Sequence, residues 1–226
     1  RKNLERRQHS AIEEKEKLLK NLEEPVDLKL RPLEHYKEVY IHGENLCLGY
    51  DGRPIGLLLS FEVKRGERVV LQGKNGCGKS SVIKAILQKN SEDLSAAPKD
   101  LYEKAEGNRA GIQILSGTLE MAAGLKISYI SQETSWMRGS LDPFAEKHSA
   151  DPSLLRTILR QLDFPRSQFS VPIETYSEGQ KKKLLTASSL LSQAHLYIWD
   201  EPMNYIDVFS RIQIENMILK YQPSML

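Results

Sequence analysis

The chain has little of what marks a secreted or membrane-embedded protein. Its 226 residues include two cysteines, Cys47 and Cys77, too few for a disulfide framework. It has no long apolar run: a stretch such as Ile55 to Phe61 falls far short of the roughly 18 residues that cross a bilayer. The first residues are charged rather than signal-like, so nothing targets or spans a membrane. A surplus of charge is missing too. With 32 basic and 30 acidic residues the formal net charge is +2, so any case for nucleic acid rests on local patches. With 40% hydrophobic residues the chain is long and apolar enough for one packed domain plus an appendage. A reducing, cytoplasmic location follows from the cysteine usage.

Gly73-Lys74-Asn75-Gly76-Cys77-Gly78-Lys79-Ser80 fits the phosphate-binding loop G-x-x-x-x-G-K-[ST]. Glu67 to Gln72 reads as a short buried strand and Ser80 to Leu87 has helical apolar spacing, which predicts strand, loop and helix in that order. Glycines let backbone N–H groups close around phosphates, the helix N-terminus adds partial positive charge, and Lys79 adds a full one. Ser80 offers its hydroxyl to Mg²⁺. A bridge at Cys77 would obstruct such a loop.

Residues 1 to 24 lack Gly and Pro and carry Leu4, Ala11 and Leu18 seven apart, with Ile12, Leu19 and Leu22 widening the stripe. This predicts one amphipathic helix, either packed on its own domain or half of a helical arm. Its cluster Arg1, Lys2, Arg6 and Arg7 suits phosphate backbones, although a charge run is more often a solvated face. Pro25 and Pro32 mark a connector, residues 25–38, and the main domain starts at Val39. There, short strands with turns at HGENL, YDGRP and KRGER are expected, then the phosphate loop and a loop-like segment from Lys89 to Arg109. Strands resume at Ile112 and at Lys126 to Ile130, residues 141–169 read as a helical insertion, and 179–193 as a further helix.

Leu196 to Trp199 is apolar and ends in Asp200-Glu201, which puts two carboxylates at a strand's C-terminal edge, where open α/β sheets bind ligands. Asp200 suits Mg²⁺ through water, and Glu201 suits orienting or deprotonating the water that attacks a γ-phosphate. Gln132 follows a strand and offers a neutral amide near the metal and γ-phosphate. Tyr50 lies in a Leu-Gly-Tyr-Asp-Gly turn and offers a face for a nucleobase, or is simply a partly buried tyrosine. Tyr176-Ser177-Glu178-Gly179-Gln180 opens a helix with a serine and a glycine, which reads as a second anion-binding end or as an ordinary cap. Two such ends on one small domain suggest a nucleotide held between two units.

In this order and spacing, residues 39–226 resemble the nucleotide-binding domain of the ABC ATPase superfamily. Tyr50 falls on its A-loop, Gly73 to Ser81 on Walker A, Gln132 on the Q-loop, Tyr176 to Gln180 on the signature, Ile198 to Glu201 on Walker B, and Asn204 to Asp207 on the D-loop. The resemblance implies an α/β P-loop NTPase fold with a mixed sheet core, an antiparallel β subdomain and a helical subdomain near 136–176. It implies ATP and Mg²⁺ as ligands and a second ABC domain as partner. Gly73, Lys74, Asn75, Gly76, Cys77, Gly78, Lys79, Ser80 and Ser81 would hold phosphates; Ser177, Gly179 and Gln180 would reach the partner's nucleotide; Ser80, Gln132 and Asp200 would serve the metal. Tyr176 and Glu178 depart from the family's LSGGQ, and Glu178 places a negative charge near a partner's γ-phosphate. Asp200-Glu201-Pro202-Met203-Asn204-Tyr205-Ile206-Asp207 is similar to the ABC-F version of this motif, and YSEGQKKK resembles the antibiotic-resistance, ribosome-protecting group. That implies two ABC domains on one polypeptide, residues 1–24 as part of a linker reaching the ribosomal tRNA site, and ribosome, rRNA and tRNA as partners. The family's switch histidine is expected beyond Leu226, so the chain reads as a fragment that binds MgATP and hydrolyses it slowly or not at all, with a head-to-tail homodimer open to it. The alternatives are the motor subunit of a membrane transporter and a nucleotide-gated scaffold.

Overall fold

The computed structural model describes residues 30, 32–93, 111–148 and 150–226. The expected helix over residues 1–24 and most of the Lys89 to Arg109 segment lie outside them. Among the described residues no helix is long and apolar enough to cross a membrane.

Two layers of strand organise the fold. Strands β1 (Val39–Tyr50), β2 (Arg53–Lys64) and β3 (Gln113–Met121) form an antiparallel sheet with β1 in the middle. Beyond it, β4 (Ile127–Ile130) and β5 (Leu196–Trp199) pair in parallel. The remaining elements are helical: α1 (Lys79–Asp93), α2 (Leu141–Lys147), α3 (Pro152–Gln161), α4 (Glu178–Leu191) and α5 (Val208–Tyr221), with 3-10 turns at Arg166–Ser170 and Ile173–Thr175. This is the α/β P-loop ATPase architecture, with an antiparallel sheet on one side and helices on the other.

The strands of the first sheet are longer than the turn signals suggest. His42 to Leu46 is not a turn: β1 runs through it with a register shift between Gly43 and Leu46 and Asn45 at φ 48°. The Gly-Glu-Asn triplet supplies a bulge, which polar, backbone-tolerant residues do as readily as they make turns. Asp51 and Gly52, both at positive φ, close the β1–β2 hairpin.

The parallel set contains a strand segment inserted between distant parts of the chain. Tyr197 N–H donates to Ser224 O, Leu226 N–H to Tyr197 O, Met225 N–H to Glu67 O and Val69 N–H to Met225 O. The lateral order is therefore β4, β5, 224–226, 67–69. Glu67 to Gln72 departs from the expected buried strand: only its first residues pair, and Val70 is 75% exposed. The segment is paired on one side only among the described residues, so half of its backbone and its outer side chains stay in contact with solvent. Helix α5 delivers 224–226 to this place by ending at Gln222 in the left-handed region, followed by Pro223, which cannot continue a helix.

β5 sits between two apolar clusters and alternates between them. Leu196 and Ile198 pack with Val82, Ile83, Ile86 and the first sheet; Tyr197 and Trp199 pack with α2, α3, α4 and the inner face of α5. All four residues are buried, as expected of a parallel strand covered on both faces. The chain emerges from this double wall at Asp200.

Candidate functional site

The loop Gly73–Ser80 runs into α1, whose residues Ile83, Ile86, Leu87 and Asn90 are buried at helical spacing. Gly76 and Gly78 hold φ of 81° and 102°, values that side-chain-bearing residues rarely adopt. The loop closes on itself through Cys77 N–H to Lys74 O. Lys79 Nζ donates to Gly73 O at 2.9 Å and to Lys74 O at 3.2 Å, so its charge lies over the loop. Gly56, at the start of β2, approaches so closely that an added Cβ would stand 2.8 Å from Cys77 O. The β1–β2 hairpin therefore borders the loop, with Tyr50 half-buried at its tip opposite Arg53.

Asp200 lies where β5 ends, its backbone N–H donating to Ile130 O at 3.0 Å. Its carboxylate is hydrogen-bonded to the Ser80 side chain, which joins the helix start to the strand end. Burial raises its pKa, with the adjoining Glu201 adding to the shift, while Ser80, Lys182 and Lys79 oppose it. Glu201 sits at φ 48°, so the chain turns sharply there and its carboxylate leaves in a different direction. Glu201 Oε2 accepts from Gln132 Nε2 at 2.9 Å and from Asn204 Nδ2 at 2.8 Å. Thus Ser80 and Asp200 form one pair, Gln132 and Glu201 another. Gln132, Glu201, Asn204, Glu178 and Lys182 line a cavity of about 580 Å³.

Helix α4 begins with a reciprocal cap. Gln180 N–H donates to Ser177 Oγ and Ser177 N–H to Gln180 Oε1, so both side chains are engaged in the helix terminus. Gly179 faces the backbone of the 201–207 loop: a Cβ there would meet Tyr205 O at 2.5 Å. Its lack of a side chain is required within this chain, irrespective of any ligand. Glu178 has partners for its charge within this chain. The carboxylate accepts from Thr134 Oγ1 at 2.5 Å and pairs with Lys181 Nζ at 3.4 Å. These contacts, the Thr134 bond foremost, hold its pKa below the usual range. The negative charge is thus satisfied toward the segment after Gln132.

The least legible part of the site is the run Lys181-Lys182-Lys183. A charge run suggests a wet face, yet all three residues are buried. Lys181 pairs with Glu178, Lys183 with Asp207 at 2.6 Å, and Lys182 Nζ donates to Ser131 O at 2.9 Å. Helical spacing is the signal that could have found Lys182: it shares a face with Leu185 and Ser189, both buried. The contacts of Asn204, which the sequence places only on the D-loop, and of Thr134 likewise depend on partners across the fold.

The residues fit MgATP on their own chemistry. Among the described residues no group of three or more His, Cys, Asp or Glu is placed to hold a metal ion. Ser80 and Asp200 offer one hydroxyl and one carboxylate, the small set of hard oxygen donors that Mg²⁺ takes when phosphates and water supply the rest. The positive-φ glycine loop beside a helix start and Lys79 supplies the matching anion cradle.

Comparison with known proteins agrees with this arrangement. The family model described as ABC transporter matches residues 58–204. Among curated proteins, the chain is 27% identical over 188 residues to the putative ATP-binding protein YdiF of Bacillus subtilis, covering 81% of this chain and 26% of that protein. It is 23% identical to the ribosome protection protein VmlR of the same organism (83% and 30% covered) and 26% identical to the ATP-binding protein Uup of Escherichia coli (81% and 27%). The chain thus spans about a quarter to a third of the length of these relatives. The fold is similar to an ATP-binding subunit of an ABC transporter (TM-score 0.63, 20% identity, 83% and 78% covered). It is also similar to a bacterial Atm1-family ABC exporter with ATP bound (TM-score 0.64, 16% identity, 97% and 39% covered).

Proposed function

The chain belongs to the ABC transporter family, and from that membership we propose that it is one ATP-binding domain of an ABC-F ATPase that acts on the ribosome. The observation that carries the ATPase part is the paired geometry at the end of β5, where Ser80 meets Asp200 while Gln132 meets Glu201. MgATP, when bound, supplies the transferable γ-phosphoryl group and a cation that neutralises charge developing on it. Lys79 and the N–H groups of the 73–81 loop hold the phosphates, and Tyr50 borders the base. Ser80 Oγ and Asp200 would hold the ion, and Gln132 would serve it as well. Glu201, kept in place through Oε2 by Gln132 and Asn204, would take a proton from the attacking water at Oε1, the oxygen those two amides do not occupy. Ser177, Gly179 and Gln180 serve the nucleotide of a second ABC domain, in cis in the intact protein.

The ribosomal part is supported by the DEPMNYID and YSEGQKKK wording and by similarity to VmlR, which is named a ribosome protection protein. Residues 1–24 would belong to the interdomain linker, and protection from an antibiotic is the proposed outcome. The domain by itself would bind MgATP with slow turnover. The test is co-sedimentation of the full-length parent with ribosomes, carrying Glu201→Gln and its counterpart in the other ABC domain. ATP-dependent pelleting is expected, lost on adding Lys79→Ala. Association with membranes instead would transfer the case to a transporter motor.

A further inference from the structure

Lys182 is the cation in the site that none of the proposed catalytic roles uses. It is 2% exposed, and an ammonium so placed is costly unless its donors are taken up. Its Nζ donates to Ser131 O at 2.9 Å, and the carboxylates of Asp200, Glu201 and Glu178 lie near enough to oppose the lowering of its pKa that burial imposes. Ser131 is the residue before Gln132. Its hydroxyl donates to Glu133 O and accepts from Trp136 Nε1, and Trp136 Nε1 also donates to Glu133 O at 3.0 Å. The segment 131–136 is therefore folded upon itself, and α4 holds it at two points, the Ser131 carbonyl through Lys182 and the Thr134 hydroxyl through Glu178.

We infer that Lys182 is a positioning residue for Gln132: by gripping the Ser131 carbonyl it fixes the plane of the peptide from which Gln132 departs toward Glu201. The peptide unit is rigid, so an oxygen held at one end sets the direction of the N–H and Cα at the other. Gln132 Nε2 then reaches Glu201 Oε2 at 2.9 Å. Because Lys182 lies one turn into α4, whose first residues are the signature, displacement of that helix reaches the Gln132 peptide through the Lys182 bond, while the Thr134 bond to Glu178 ties the helix to the segment two residues further on. Nucleotide capture by the 73–81 loop does not pass through Lys182. The inference rests on the proposed ATPase reading, and it assigns Lys182 to turnover rather than to binding.

The test compares Lys182→Met, which keeps the stem and removes the donors, with Lys182→Arg, which keeps donors and charge. In the full-length parent, Met is expected to lower kcat roughly tenfold to a hundredfold with KM for MgATP within about twofold, and Arg to recover most of the loss. A second measurement uses the 226-residue chain with Trp199→Phe, which leaves Trp136 as the one tryptophan. At constant pH, Met should shift the Trp136 emission maximum and Arg should leave it in place. Unchanged kcat in the Met variant would overturn the inference, as would equal losses in both variants with Trp136 emission unmoved. If the unsubstituted parent hydrolyses no ATP, the ATPase reading fails, and the Trp136 comparison still decides whether Lys182 sets the 131–136 segment.

Discussion

His148 ends α2 with its Nε2 buried and unpartnered, its ring 4.3 Å from Phe144 and 6.1 Å from Trp136. Burial, with a smaller push from Lys147, lowers its pKa from 6.5 to about 4. The unfolded chain therefore takes up this proton first, so the contribution is fully present above the unfolded value and is lost as pH falls toward the folded one. At 1.36 kcal/mol per pKa unit, the full loss is about 3 kcal/mol, of which about 2 kcal/mol falls between pH 7.5 and 5. Urea unfolding of the chain and of His148→Phe at those two pH values measures it. The substituted chain should lose about 2 kcal/mol less stability across the interval. His195, whose pKa burial also lowers, is present in both chains and cancels. The depressed carboxylates Glu174, Glu178 and Asp207 titrate mainly below this window. Equal losses in the two chains would refute the reasoning, since they would mean that His148 is as accessible to protons folded as unfolded.

Two further predictions concern the start of α4. Gly179→Ala puts a methyl against the Tyr205 carbonyl and should cost about 1–3 kcal/mol in urea unfolding with no nucleotide present; unchanged stability would leave Gly179 with a ligand role alone. Asp207→Ala removes the cap to Ser210 N–H and the partner of buried Lys183, for an expected loss of about 2–4 kcal/mol. Asp207→Asn, which keeps a capping oxygen, should lose less, and equal losses would show that the ion pair with Lys183 carries the effect and the cap adds nothing.

What could be read from the residues is local. A glycine loop before a helix, two acids after four apolar residues, and Ser-x-x-Gln at a helix start are statements about neighbours in sequence, and the structure has a loop, a strand end and a reciprocal cap at those places. What could not be read depends on distant partners. Nothing near Lys182 in sequence says that Ser131 O waits beneath it, and nothing near Glu178 names Thr134. The bulge at Asn45 was missed because its residues also make turns. The exposure of Val70 was missed because an apolar run gives no information about how many neighbours its strand has. Glycine at 179 was read for its helix terminus, whereas the backbone it touches is a loop more than twenty residues later.

The segment 224–226, slotted between β5 and 67–69, has a consequence for how the domain is made. Its partner Arg68 leaves the ribosome roughly 150 residues earlier, which at ordinary synthesis rates is about 8–30 s. Through that interval the stretch leading into the phosphate loop lacks the backbone partner that the finished fold gives it. Pairing so distant in sequence is slow to form even in a complete chain. The antiparallel sheet, whose β1–β2 hairpin is local, can form while synthesis continues; the pairing beside the nucleotide site forms after it. A nascent domain thus lacks the pairing beside its phosphate loop until translation has passed Met225, and Glu67 to Val69 stays an unpaired edge, open to misassociation, until then.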